Sequence, residues 1–514
     1  MSLTKEAYQA LESVVGEENI SNDPVTCEAA VGGACGINVW DKGVTRPACV
    51  LLPGNTKEVQ EIVLIANRYK LPYIPTCSSM HVFVSAHWPN TIIIDLKKMR
   101  RLEIDDKNMF AICEPGVCSA ELFAEVVKRG LWCMVPACGG QASVVANTAI
   151  HGTAPSIYRF GYPYRRILAT EWVLPNGELL NLGSTSLLKD YFWGEGPGPD
   201  LRGILRGTLG PFGGMGVVTK MAVKLLPFQP ELLEPTGISP VTALKLPIRR
   251  MKWFNITLPT LELAFDALYE ISKSEIGAMV IIIASLFRYV ARARGRGAAA
   301  FWEEWSKVED NIDWTNTFVR VLSIGFTSEK QIAYEEKVLK DIVADLGGNI
   351  REGRPIDESQ LMSPDAICSF FVSGTFHPCE LSFESLDAGL KTARKTVELR
   401  KKYKGLLAED HGYPGWMFSA ELGHMGYYEF LCYGDVDDKD TLSKLEIECK
   451  RSDIKTGGFP MYQDPSLLGP AWFNYHENLR SLKKLFDPNN VSNPPFPERL
   501  PWNAFPEGVT KEGG

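Results

Sequence analysis

The residues able to do chemistry in this chain fall into two kinds of stretch. The first is FSAELGHMGYYEFLCYGD, residues 418–435, where Glu421, His424, Tyr427, Tyr428 and Glu429 interrupt an apolar, strand-like run. A strand that buries polar side chains must satisfy them, and His, Tyr and Glu are groups that take up and return protons. His424, Tyr427 and Tyr428 are therefore candidates for a catalytic base, with Tyr462 in the later segment GGFPMYQ as a fourth. The second kind is the small-residue turn. Pro75 leads into Thr76, Cys77, Ser78, Ser79, Met80 and His81, and Pro136 leads into Ala137, Cys138, Gly139, Gly140, Gln141, Ala142 and Ser143. A glycine-rich hairpin, GPFGGMGVVTK, ends in Gly216, Val217, Val218 and Thr219. Turns of this composition let backbone N–H groups approach a phosphate, because small residues leave no side chain in the way.

The elements that must hold these turns have a βαβ rhythm. Residues 50–52 read as a strand, and Asn55 or Thr56 can cap a helix whose apolar face is Val59, Ile62, Val63 and Ala66. A second strand over 71–75 delivers the chain to the first turn. The run TIIIDLKKMRRLEIDDKNMFAICEPGV predicts three more strands joined by tight turns, and a helix is expected over Lys5–Val15. The stretch AAVGGACGI reads as a loop. From residue 229 to about 469 the pattern changes: strands such as MKWFNITLP and GAMVIIIASLF alternate with helices over 261–272 and 329–346. That is the α+β signature of a sheet covered by helices on one face.

A chain of 514 residues suggests two domains, and 45% hydrophobic with 23% charged residues are values of a soluble globular protein. A net charge of −8 argues against a general nucleic-acid binder, which needs a basic excess. The run over 276–287 is too short to span a bilayer and reads as a buried strand, so no integral membrane segment is expected. The opening MSLTKEAYQALESVVG carries no secretory pattern, which makes a cytoplasmic location the expectation. None of the twelve cysteines stands in a C-x-x-C pair, so no metal site is predicted. Arg288, Arg292, Arg294 and Arg296 form a basic run that reads as a solvated face. His377, in CSFFVSGTFHPCE, reads as a core histidine.

The ordered pieces VQEIVLIANRY, IIIDLKKMRRLEID, EPGV, VPACGGQASVVANTAIHG, WVLPNGELL, GPDLRGILRGTLGPFGGMGVVTK and LKKLFDPNNVSNP resemble the FAD-binding domain of the vanillyl-alcohol oxidase/p-cresol methylhydroxylase superfamily. The resemblance covers about 43–228 and 479–495. It implies a two-domain α+β fold of the p-cresol methylhydroxylase type: residues 1–228 bind FAD, 229–469 form a substrate (cap) domain, and 470–514 return to the FAD domain. A dinucleotide-binding Rossmann fold is not expected, because no G-x-G-x-x-G follows the first strand. By the resemblance, residues 76–81 and 138–143 hold the FAD pyrophosphate and ribityl. Asn147, Thr148, His151 and Gly152 lie along the flavin ring, while Gly216, Val217, Val218 and Asn493 complete the cofactor site.

Departures from the family set the remaining expectations. The first loop lacks the usual glycines. His81 falls where the berberine-bridge branch (R-S-G-G-H) carries a histidine bonded to the flavin, so covalent FAD and a simple hydrogen-bonding histidine both stay open. The hydroxy-acid dehydrogenase branch reads H-x-G-D-G-N-x-H where this chain keeps only His424 and Gly426, which again argues against a metal. The phenol-oxidising branch places an aspartate where Ala137 stands, although GYPYRR, with Arg165 and Arg166, echoes that branch. The resemblance implies an oxidoreductase that passes a hydride from a small hydroxylated substrate, a hydroxy acid or alcohol, to flavin N5. Oxidation of a 4-alkylphenol or benzylic alcohol is the alternative. A flavin-carrying electron-transfer subunit is another, with an iron–sulfur or cytochrome partner and homo- or hetero-oligomeric assembly open.

Overall fold

The computed structural model describes residues 3–31, 45–79, 86, 88–136, 139–149, 152–183, 200–205, 214–228, 232–236, 244–245, 248–283, 298–307, 316–353, 375–383, 385–403, 415–434, 441, 444–445, 448–449, 452–453, 455–460 and 474–494. All statements of number or absence below refer to these residues. Met80, His81, Ala137, Cys138, His151, Tyr462 and the arginine run 288–296 lie outside them. Most of AAVGGACGI does as well.

The N-terminal sheet contains β1 (Ile20–Ser21), β2 (Cys49–Leu51), β3 (Tyr73–Thr76) and β4 (Ile92–Asp95) in the order β1-β2-β4-β3. β2, β4 and β3 are parallel, and β1 runs against β2. The connection from β2 to β3 is the helix Thr56–Tyr69. Asn55 caps it by accepting the Glu58 N–H (3.0 Å), and Lys70 ends it in the left-handed region at φ 55°. Its predicted face of Val59, Ile62, Val63 and Ala66 is wholly buried against Leu51, Ile92 and Ile94. Each such valine or isoleucine contributes about 1.5–3 kcal/mol. The two predicted strands are offset from expectation by one or two residues, a displacement ordinary for element ends.

The second sheet is antiparallel and begins with β5 (Leu102–Asp105) and β6 (Phe110–Cys113). After the short β7 (Leu131–Trp132) come β8 (Ile167–Val173), β9 (Leu179–Leu182) and β10 (Val217–Lys224), giving the order β5-β6-β10-β8-β9. β11 (Leu226–Pro227) pairs with β7. β8 is buried along its whole length, and its last residue, Val173, stands opposite Val217.

The C-terminal half is built on an eight-stranded antiparallel sheet. Its strands are β12 (Met251–Leu258), β13 (Met279–Ile283), β14 (Thr317–Ile324), β15 (Asn349–Glu352), β16 (Thr375–Phe383), β17 (Gly415–Ala420), β18 (Met425–Gly434) and β19 (Gly458–Pro460). They lie in the order β15-β12-β14-β13-β17-β18-β16-β19. Side chains alternate between faces along each strand, and both faces are covered. Phe254, Val280, Val321, Met417 and Tyr428 pack under the helices Leu261–Lys273, Glu329–Asp345 and Leu386–Arg400. Trp253, Ile281, Trp416, Phe418 and Tyr427 join one continuous core with Phe123, Trp132, Val145 and Trp172 of the N-terminal half. The sheet is therefore held between its own helices and the part of the chain that carries the small-residue turns.

Candidate functional site

The first turn leaves β3 at Thr76, and Ser79 adopts φ 47°, a conformation that costs most side chains energy. The second turn is tied to it. Ser143 donates its N–H to Ser78 Oγ (3.2 Å) and its hydroxyl to Pro115 O (2.6 Å), while its Oγ accepts the Ala146 N–H (3.2 Å). Ser143 is thus a rivet between two turns that are 65 residues apart in sequence. Gly140 and Ala142 accept from the N–H groups of Ala120 and Ser119 (2.8 and 2.9 Å), which fixes the turn against the start of the preceding helix, Ser119–Val127. Asn147 and Thr148 follow on the short helix Val144–Ala149. Gly152 donates back to Asn147 O at 2.7 Å.

The hairpin is drawn in from the other side. Gly216, at φ 99°, donates to Ser492 Oγ (2.8 Å), and Ser492 lies beside Tyr73 of β3. Asn493 donates its N–H to Tyr73 O (2.8 Å) and itself sits at φ 42°. Pro75, Thr76, Cys77, Ser78, Ser79, Pro136, Gly139, Gly140, Ser143, Asn147, Thr148 and Gly152 thus belong to turns tied together at Ser78–Ser143 beyond the last residue of β3, whereas Gly216, Val217, Val218 and Asn493 gather at its first residue, Tyr73.

This region fits a group that needs close backbone approach. A Cβ at Gly216 would lie 2.2 Å from Val173 O, and one at Gly139, whose φ is 126°, would lie 2.4 Å from Gln141 Oε1. A Cβ at Gly152 would fall 1.7 Å from Asn147 Oδ1. At Gly216 the obstacle is backbone and the φ is positive, so only glycine fits there without strain; at Gly139 the positive φ favours glycine, and at Gly152 the obstacle is the Asn147 side chain, which would have to move. Gln141 Oε1 is buried and has no hydrogen-bond partner among the described residues. A buried carbonyl oxygen of that kind is able to accept from a bound donor or from water. Cys77 lies in the same place, and burial pushes its thiol up to about 11, so it stays protonated at neutral pH.

On the C-terminal side the candidate bases separate. His424 sits exposed in the turn between β17 and β18, where Glu421, Leu422 and Gly423 all have positive φ. Tyr428 points under the helix Leu386–Arg400 and shares the core of Met417 and Leu386. Burial raises its pKa well above that of free tyrosine. Only Tyr427 faces the N-terminal half, and it is not alone. Two residues on, and so on the same face, is Glu429, 5% exposed, whose Oε2 accepts the Tyr427 hydroxyl at 2.9 Å. Burial pushes the Glu429 carboxyl up to about 7, and the hydrogen bond from Tyr427 works against that rise. Phe418 packs beside Tyr427 with ring centroids 5.4 Å apart, and Trp416 lies beyond it. A carboxyl group that titrates near neutrality in an aromatic wall is suited to accept and return a proton.

Glu429 belongs to the sequence cluster but was not among the expected bases. The alternation of β18 could have singled it out, since residues 427 and 429 share a face that 428 cannot. Ser492 and Lys483, described below, left no such signal. In backbone register Glu429 stands opposite Glu380 of β16. His377 occupies a position on β16 opposite Cys432.

The sheet order and the likeness to solved structures give a two-domain α+β fold of the p-cresol methylhydroxylase type, not a Rossmann fold. Residues 47–183 match the FAD binding domain family. The chain is 27% identical over 234 residues to 1'-carboxy-chondrochloren decarboxylase of Chondromyces crocatus, which covers 43% of this chain and 40% of that protein. It is 24% identical over 474 residues to a D-lactate dehydrogenase of Archaeoglobus fulgidus, covering 87% and 90%. Against the decarboxylase and several other curated relatives, the chain spans less than half of the other protein's length. Its fold is similar to that of p-cresol methylhydroxylase solved with substrate bound, with a TM-score of 0.74 at 18% identity over 96% of both chains. FAD is accordingly the cofactor. No described helix is long and apolar enough to cross a membrane, and no described cluster could hold a metal ion.

Proposed function

We propose that this chain is an FAD-dependent dehydrogenase of a small hydroxy acid or alcohol, with Glu429 as the base and Tyr427 as its positioning partner. The observation that carries the reading is the buried Tyr427–Glu429 hydrogen bond on the sheet face turned toward the FAD-binding half. When bound, FAD supplies the hydride acceptor. Tyr427 occupies Glu429 Oε2, which leaves Oε1 to take the substrate hydroxyl proton as the carbinol carbon becomes a carbonyl. The surrounding Trp416 and Phe418 exclude water, so that the carboxylate is a stronger base than it is in solution. The near-full-length likeness to a D-lactate dehydrogenase supports a hydroxy acid over a simple alcohol. The cofactor contacts inferred for the turns, and the division into 1–228, 229–469 and 470–514, belong to the same reading. So do a cytoplasmic location and transfer of the electrons to a partner protein.

The test is an anaerobic absorbance spectrum of the purified protein with a panel of hydroxy acids, alcohols and 4-alkylphenols. Bleaching by one hydroxylated class in wild type, slowed at least about 100-fold in Glu429→Gln, is the expected result. Bleaching by phenols alone would replace this reading with phenol oxidation. Flavin that no substrate reduces would point to an electron-transfer subunit.

A further inference from the structure

The helix Tyr475–Phe486 lies far from Glu429 in sequence and carries a lysine that the proposed chemistry does not use. Lys483 is 5% exposed. Its Nζ donates to Gly214 O (2.6 Å), to Asp487 Oδ2 (2.6 Å) and to Ser492 O. Asp487, also buried, accepts the N–H groups of Val491 (3.0 Å) and Ser492 (2.8 Å). An ammonium group placed out of water needs such a full set of partners. The partners chosen here are informative. Gly214 lies two residues before Gly216, and Ser492 Oγ in turn accepts the Gly216 N–H. On the far side, Tyr73 of β3 donates to Val491 O and accepts from Asn493 N–H, both at 2.8 Å. Phe486 stacks on Trp172, which stands opposite Val218 in the sheet (centroids 5.8 Å apart, planes 11° apart).

We infer that Lys483 and Ser492 form a latch that sets the FAD-binding cradle. One buried cation holds the approach to the Gly216 hairpin and the segment 491–493, and that segment is hydrogen-bonded to Tyr73, the first residue of the strand that delivers the chain to the first turn. The inference rests on FAD occupying these turns. It assigns to the C-terminal helix a positioning role for the cofactor, beyond its share in packing.

The experiment compares wild type with Ser492→Ala, Lys483→Met and Leu485→Ala, in flavin-depleted protein titrated with FAD. Three quantities are read: the half-saturating FAD concentration, the melting temperature without FAD, and the rise in melting temperature that FAD confers. Ser492→Ala takes away the acceptor of the Gly216 N–H and leaves the Lys483–Asp487 ion pair intact. It is expected to raise half-saturation about 10-fold, the worth of roughly one hydrogen bond, and to reduce the rise in melting temperature that FAD confers, beyond the loss that an unsatisfied buried N–H brings to the FAD-free protein. Lys483→Met should raise it further, although stranding Asp487 also threatens the fold. Leu485 is 75% exposed on the same helix, and its replacement should change nothing. The latch is refuted if Ser492→Ala takes up FAD like wild type, or if its FAD affinity falls only in step with FAD-free stability. Wild-type protein that takes up no FAD would overturn the flavin assignment and the latch with it.

Discussion

Replacing Glu429 by glutamine keeps an acceptor for Tyr427 while removing the charge, so it isolates the cost of ionising a carboxyl in this wall. In the folded chain the group titrates at about 7, against 4.5 for an unperturbed glutamate. Each pH unit of displacement corresponds to about 1.4 kcal/mol, so burying the ionised form costs on the order of 3 kcal/mol. The sign follows from proton counting. Below about pH 4.5 the group is neutral in both folded and unfolded chains and costs nothing. Between 4.5 and 7 the unfolded chain loses its proton first, and stability falls as pH rises. Above 7 the whole penalty is present. Glu429→Gln should therefore match wild type at pH 4.5 and exceed its stability at pH 8.5 by about 2–3 kcal/mol. Urea titrations of both proteins at the two pH values measure this. Flavin reduction gives a second readout: in wild type kcat/KM should rise with pH through about 7, because only the carboxylate accepts a proton. In the variant that limb should disappear along with most of the rate. Equal pH dependence of stability in the two proteins would refute the buried, near-neutral carboxyl, and an unchanged limb in the variant would remove Glu429 as the base.

Other expectations follow from the same geometry. Tyr427→Phe takes away the hydrogen bond that lowers the Glu429 pKa, so the acidic limb of kcat/KM should move to higher pH. Gly216→Ala combines a positive φ with a Cβ 2.2 Å from Val173 O; it should cost at least about 1–2 kcal/mol of stability and yield flavin-poor protein, read from the visible spectrum. His424→Ala, in an exposed turn, should reduce flavin with substrate at the wild-type rate, checked by stopped-flow absorbance. Acid precipitation of the holoprotein reports on His81: yellow in the pellet means a covalent bond to FAD, and yellow only in solution excludes it.

Much of the N-terminal half was legible because local rules and tertiary packing agree there. The cap and the face Val59–Ile62–Val63–Ala66 need nothing beyond helical period and a side-chain acceptor; the face appears as read, and of the two caps offered, Asn55 and Thr56, the structure takes Asn55. The glycines at 139 and 216 announced tight turns, though their necessity comes from Val173 O and Gln141, groups that no linear pattern brings near. The cap sheet was visible as alternating strands under helices, but its second covered face was not. That face decides the candidate site, since it separates Tyr427 from Tyr428 and exposes His424. Glu429 was legible in type and missed in role, because burial alone raises its pKa and burial is a property of the assembled sheet. Lys483 reads in sequence as one more charge on an amphipathic helix. Its contacts at Gly214 and Ser492 exist only after the chain has closed on itself.

That closure has a consequence for how the protein is made. Asn489 hydrogen-bonds to Asn67, 422 residues earlier, and Ser492 to the Gly216 hairpin, 276 residues earlier. During synthesis the first sheet and its helix emerge long before the residues that complete its edge at Tyr73. The early sheet must wait, with β3 lacking its last neighbour, while the whole eight-stranded sheet is translated. Such distant pairings form slowly, since the intervening chain must be ordered before they are rewarded. Nascent chains arrested short of residue 483 should therefore fold their parallel strands and yet hold no flavin, and colour would mark the moment at which the segment 483–493 has joined the fold.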